Sequence, residues 1–200
     1  MEWVAIWTTL FKKVWKICDN CRGCSLLSVP GKVLALILFY RLQAIIDPQL
    51  KEAQSGFRKG RGTVDQLWVV RQVVVRATVY RTPLYLCFVD LTKAYDSVNR
   101  QAMTAVLKEY RVPQQLVEIE DLHTGTHCQV RTAGGTSGEF EVNTGLRRGC
   151  VLSPLLFNCV MDKILKEATE TLSGGLHIQY TTEGGVFLSY QDKTPAAACI

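Results

Sequence analysis

The stretch LYLCFVDLTKAYDSVN, residues 84–99, decides how the rest of the chain is read. Its first six residues are an unbroken apolar run, which predicts a strand buried on both faces. The run ends on Asp90, and a carboxylate at the end of a dry strand is costly to desolvate unless something positive meets it. A divalent cation would do so: Mg²⁺ takes oxygen ligands, typically one or two carboxylates together with substrate phosphates. Asp90 could equally cap the turn that follows. Beyond KAYD, NRQAMTAVLKEYRV reads as a helix ended by Pro113.

Upstream, Pro83 breaks a helix over VDQLWVVRQVVVRATVY, in which Leu67, Val70, Val74 and Ala77 recur at helical spacing. Arg71 suits its other face and Thr63 is a candidate cap. Before that helix lies a glycine-spaced basic loop, QSGFRKGRGT. Earlier still, VLALILFYRLQAII reads as a helix that follows a turn at Pro30-Gly31 and ends near Asp47-Pro48. Downstream, QQLVEIEDLH predicts a second helix, and HCQVRT and EFEV partly alternate as a hairpin over residues 127–143. The loop GLRRGC leads into the helix SPLLFNCVMDKILKEATETL, with Ser153 as N-cap and Pro154 at the first helical position. LHIQY and VFLSY form a last hairpin. The fold class is α+β.

Composition bounds the function. Hydrophobic residues make up 48% and charged residues 20%, which suits a globular chain and excludes a disordered one. The net charge of +5 favours polyanionic partners but fits a generic basic enzyme as well. The opening MEWVAIWTTLFKK lacks a leader pattern, and the eight residues VLALILFY are too few to cross a bilayer. The expectation is an intracellular protein with no membrane partner, its eight cysteines mostly reduced thiols. CDNCRGC, with Cys18, Cys21 and Cys24, has the spacing of a cluster or zinc site. It lacks a fourth cysteine followed by proline, and His123 and His127 have no paired cysteines nearby, so small residues in a core segment is the preferred reading.

Four stretches carry a family resemblance. FVDLTKAYD resembles the first catalytic motif of reverse transcriptases, and GLRRGCVLSPLLFN resembles a second. NCRGCSLLSVPGKVL and QSGFRKGRGTVDQL are similar to the two finger segments that precede them in the reverse transcriptases of non-LTR, LINE-type retrotransposons. The resemblance runs from about Phe11 to the end of the chain. It implies the fingers (residues 1–83) and partial palm (residues 84–200) of a right-hand polymerase, with the motifs at 88–96 and 145–158. The implied activity is RNA-directed DNA polymerase, with an RNA template, a DNA primer and dNTPs as partners and Mg²⁺ or Mn²⁺ as cofactor. In such centres two metals roughly 3.5–4 Å apart activate the primer 3′-hydroxyl and stabilise in-line displacement.

The resemblance also assigns roles. Asp90 becomes a catalytic metal ligand, with the carbonyl of Val89 or Leu91 as a further donor. Tyr95 matches the aromatic residue that packs under the sugar of the incoming nucleotide; core packing is its other reading. Asp96 is read as structural, paired with Lys93 or an arginine. Arg22 matches a fingers arginine that reaches the triphosphate. Gly149 lets backbone approach the nucleotide, and Arg148 stands beside it where the family usually has glutamine. Arg147 adds positive charge near the template. Arg58, Lys59 and Arg61 are candidate contacts to a nucleic-acid backbone, or else form a solvated basic loop.

The family's third motif, an aromatic residue, any residue and two aspartates, has no match: no two adjacent aspartates occur in the chain. YQDK, residues 190–193, is its nearest echo, with Lys193 in place of the second acid. The chain is therefore expected to stop short of that motif and to be inactive alone. A nucleic-acid-binding remnant without catalysis is the alternative.

Overall fold

The computed structural model describes residues 5–11, 21–117, 127–132, 135–170, 175–180, 186–191 and 196–199. Packing divides the chain into two compact units, Met1–Gln49 with Lys93–Val160 and Leu50–Thr92 with Met161–Ile200. Helices and small sheets are mixed in sequence, as an α+β chain requires. The division by packing cuts across the boundary expected at 83/84.

In the first unit, Ala5–Phe11 (β1) pairs antiparallel with Cys21–Leu26 (β2), placing Ile6 opposite Leu26. Ile6, Trp7, Thr8, Thr9 and Phe11 are residue types that favour a pleated surface. No strand was expected in this segment. The helix Val29–Ile46 (α1) follows, and the Ser28 hydroxyl accepts the Gly31 N–H at 3.3 Å. Pro30-Gly31 is thus the first turn of the helix, not a separate turn. Proline is tolerated there because its missing N–H has no intrahelical partner. Extended this way, Val29–Gln49 is long and apolar enough to cross a membrane, where eight residues had been counted. Gly31, Ala35, Leu42 and Ile46 of α1 are buried, while Val29, Val33, Leu36, Ile37 and Tyr40 are exposed.

The second unit holds the helix Thr63–Val79 (α2). Gly62 is its N-cap and the Asp65 carboxylate accepts the Gly62 N–H at 2.9 Å, so Thr63 opens the helix and does not cap it. The buried stripe is Val69, Val73 and Ala77, while Leu67 and Val74 are exposed. Apolar residues occupy almost every side of α2, so spacing alone did not select the inward face. Gln66, which donates to the Ser55 hydroxyl at 2.6 Å, helps fix the rotation.

Leu84–Cys87 (β3) is shorter and wetter than the apolar run predicted. Tyr85 and Cys87 are exposed, and so are Phe88 and Val89 beyond the strand. Its one strand partner among the described residues is parallel and distant in sequence, and a two-stranded sheet cannot enclose both faces of a strand.

Back in the first unit, Arg100–Glu109 (α3) starts at Asn99, whose side chain accepts the Ala102 N–H at 3.1 Å. Met103, Val106 and Leu107 are its buried face. Gln114–Val117 (α4) is the described part of the helix expected over 114–123; the remainder lies outside the described residues. The hairpin expected over 127–143 is present as His127–Thr132 (β4), Gly135–Thr136 (β5) and Phe140–Glu141 (β6). Because β4 also pairs parallel with β1, the hairpin is a continuation of the β2-β1-β4-β5 sheet.

The helix Ser153–Glu170 (α5) contributes Leu155, Leu156 and Cys159 to the buried set of the first unit. In the second unit, Gly175–Tyr180 (β7) and Val186–Gln191 (β8) make the predicted antiparallel hairpin, with Ile178 opposite Leu188. Ala196–Cys199 (β9) is the parallel partner of β3 and was not foreseen.

Candidate functional site

In the first unit, the loop at residues 145–149 is held at both ends by backbone. The Gly145 N–H donates to the Val98 carbonyl at 2.9 Å and the Leu146 N–H to the Tyr95 carbonyl at 2.8 Å. Gly145 has φ +82°, and a Cβ there would lie 2.8 Å from the Asp96 Cα and 2.9 Å from the Tyr95 carbonyl oxygen. At the far end, the Ser25 N–H of β2 donates to the Arg148 carbonyl at 2.7 Å. Gly149, at φ +95°, leaves no room for a Cβ, which would sit 2.6 Å from the Ser25 carbonyl oxygen. Only glycine combines that backbone conformation with so close an approach. The loop is thereby fixed between the turn at Tyr95-Asp96 and the strand that contains Arg22.

The side chains of the turn are equally engaged. The Tyr95 ring stacks on Phe157 of α5, with centroids 4.7 Å apart and planes 23° from parallel. Burial pushes the Tyr95 phenol pKa above its ordinary 10.0, and the nearby Arg148 guanidinium opposes that shift. Arg148 pairs with the Asp96 carboxylate at 2.5 Å. Asp96 therefore meets an arginine, one of the two partners the sequence allowed, and its own N–H donates to the Lys93 carbonyl at 2.8 Å. Arg148, read as a substrate contact, spends its guanidinium on Asp96.

Arg147 was expected near the template. It is buried, and burial lowers the pKa of its guanidinium, with Arg100 acting in the same direction. The Arg147 carbonyl accepts the Ser153 hydroxyl at 2.6 Å and the Cys150 N–H at 3.2 Å. Those bonds tighten the loop onto the start of α5 and carry Arg147 inward, so it is not a surface contact. The Ser153 hydroxyl, expected to cap α5, donates back to the loop. Arg147 lines a cleft of about 110 Å³ together with Asp96, Arg100, Cys128, Thr144 and Gly145.

The remaining candidates are dispersed. Asp90 follows β3 in the second unit and is exposed, as are Val89 and Leu91. Arg58 donates to the Lys51 and Gln54 carbonyls, both at 3.0 Å, and Arg61 pairs with Glu52 at 2.6 Å. These two arginines brace their own loop, while Lys59 is exposed. Arg22 sits in β2 opposite Leu10; its side chain lies outside what the structure describes. Cys18 lies outside the described residues too, so the cysteine-cluster reading meets no structural observation. Sequence reasoning missed Phe157 and Ser25. Phe157 falls within the quoted motif, but its inward direction depends on the rotation of α5.

A model of the family described as reverse transcriptase (RNA-dependent DNA polymerase) matches residues 11–192. The chain belongs to the reverse transcriptase family. Among its relatives is the Retrovirus-related Pol polyprotein from type-2 retrotransposable element R2DM of Drosophila melanogaster, 31% identical over 74% of this chain and 14% of that protein. The probable RNA-directed DNA polymerase from transposon X-element of the same organism is 30% identical over 76% of this chain and 17% of its own length. The RNA-directed DNA polymerase from mobile element jockey of Drosophila funebris is 28% identical over 70% of the chain and 16% of its own. The LINE-type, non-LTR character read from the motifs is thus shown for this reverse transcriptase domain. The chain spans about a sixth of the length of these relatives or less.

Proposed function

We propose that this chain forms the nucleotide- and template-facing part of an RNA-directed DNA polymerase. Tyr95 and the loop at 145–149 lie beside an incoming dNTP, an RNA template and DNA primer are the partners, and Asp90 is one ligand of a Mg²⁺ or Mn²⁺ ion. The observation that carries this reading is the junction of the end of the first motif (Tyr95 and Asp96), the 145–149 loop of the second and the strand β2 within one compact unit.

The metal is the part the described residues fit least. Asp90 offers one exposed carboxylate, and among the described residues no three His, Cys, Asp or Glu side chains gather. Mg²⁺ demands near-octahedral oxygen donors. One carboxylate does not hold a metal pair, and phosphodiester formation cannot be assigned to these residues alone. What the chain's own groups do is bind and exclude. The Tyr95 ring, backed by Phe157, offers a flat apolar surface to a sugar. Gly149 keeps the loop against β2 with no side chain in the way.

Two measurements test this reading. Purified chain with a primed RNA template and Mg²⁺ or Mn²⁺ is expected to give no primer extension while still binding dNTP. Incorporation that disappears in Asp90→Asn overturns the inactivity, and absence of any dNTP binding overturns the polymerase reading itself. The exposed Lys59 and the net charge of +5 favour one second reading, a module that binds nucleic acid without chemistry. Salt-steep RNA binding with no nucleotide binding selects it.

A further inference from the structure

We infer that Arg148 and Asp96 are positioning residues for Tyr95, and that Arg148 acts through Asp96 and not on the nucleotide. The inference rests on the polymerase reading, in which Tyr95 faces the sugar. Four observations support it. Arg148 and Asp96 meet at 2.5 Å, with the arginine side chain 19% exposed and the aspartate 39%. Asp96 directly follows Tyr95, so a bond that fixes one restricts the torsions of the other. The carbonyl of Tyr95 accepts the Leu146 N–H at 2.8 Å, which ties the same residue to the loop bearing Arg148. The Tyr95 ring rests on Phe157, which leaves it a single stacked orientation.

Ring stack and backbone bond thus hold Tyr95 itself, and the ion pair holds the residue that directly follows it. A planar guanidinium suits this task because its fork holds a carboxylate in one geometry, whereas a glutamine at 148 would offer a weaker, neutral bond. An arginine engaged in this way is not poised to grip a triphosphate. Its presence in place of the usual glutamine is accounted for by Asp96.

The test compares Arg148→Gln, Asp96→Asn and their combination by two readouts on the purified chain. The first is the set of proton resonances of the Tyr95 ring, which the stacked Phe157 ring displaces. Both single variants are expected to move them toward their positions in Phe157→Leu, and the charge-swapped pair Arg148→Asp with Asp96→Arg is expected to bring them back. The second is the ratio of dNTP to ribonucleotide affinity. Each single variant is expected to lower it by about three- to fivefold, the effect of a partly exposed ion pair, and the combination no further. Arg148→Gln weakening dNTP binding while Asp96→Asn leaves it intact overturns the inference in favour of direct contact. Ring resonances unmoved in both variants overturn it as well. A chain that binds no nucleotide refutes the polymerase reading, and the ring resonances still decide whether the clamp exists.

Discussion

Gly149 and Gly60 both adopt left-handed backbone, yet alanine at the two positions should behave differently. A Cβ at Gly149 meets the Ser25 carbonyl oxygen at 2.6 Å, while a Cβ at Gly60 meets nothing within 4 Å. Gly60→Ala is expected to cost roughly 1–2 kcal/mol, the strain of the conformation alone. Gly149→Ala adds a clash with backbone and is expected to cost about 3 kcal/mol or more, read from urea unfolding midpoints. Alkaline pH probes the same loop. Burial raises the Cys150 thiol above its ordinary 9.0 and the Tyr95 phenol above 10.0. In the unfolded chain these groups lose their protons first, so rising pH favours the unfolded state. The stability they lend is whole below pH 9.0 and is lost as pH climbs through the folded values. Cys150→Ala and Tyr95→Phe should each flatten that decline in unfolding measured across alkaline pH. At this scale the motif singled out Gly149 and Tyr95 but not what they touch. Phe157 and Ser25 were not legible, because their relevance lies in a stack and a strand contact between residues far apart in sequence.

Some boundaries set by capping and turn chemistry were read well, although the cap of α2 and the start of α1 were misplaced. Asn99, Pro113 and the glycine-rich turn of the 127–143 hairpin marked their boundaries plainly. The helix α2 and the strand β3 misled because apolar residues lie on most sides of α2 and fill β3, which weakens the periodicity that tells inside from outside. β1 was not foreseen; its strand neighbours are the following strand β2 and the remote β4. Along α5, a buried acid repays attention. Asp162 is 1% exposed, accepts the Lys51 N–H at 3.1 Å and pairs with Lys166 at 2.5 Å. Asp162→Ala strands the Lys51 amide and is expected to cost about 2 kcal/mol or more, seen as a lower urea midpoint. Asp162→Asn, which keeps an acceptor oxygen, should cost less.

Across the whole chain, apolar surface is left open in places a soluble domain normally covers. Tyr85, Phe88, Val89 and Leu91 are all exposed, and they surround Asp90 in sequence. Exposed apolar residues beside a short sheet with few partners invite association between copies. Light scattering of the purified chain is expected to rise with concentration, and Phe88→Lys is expected to reduce it. A fully monodisperse chain at high concentration would contradict this expectation.

The pairing of β3 with β9 bears on the order of assembly during synthesis. Leu84 leaves the ribosome long before its partner Ala196. Contacts between such distant segments form late, because the intervening loop must close first. The strand that leads into Asp90 is therefore among the last pieces to be anchored. A ribosome paused between these two segments would carry a nascent chain in which the motif carboxylate hangs from an unpaired ribbon, open to chaperones and proteases alike.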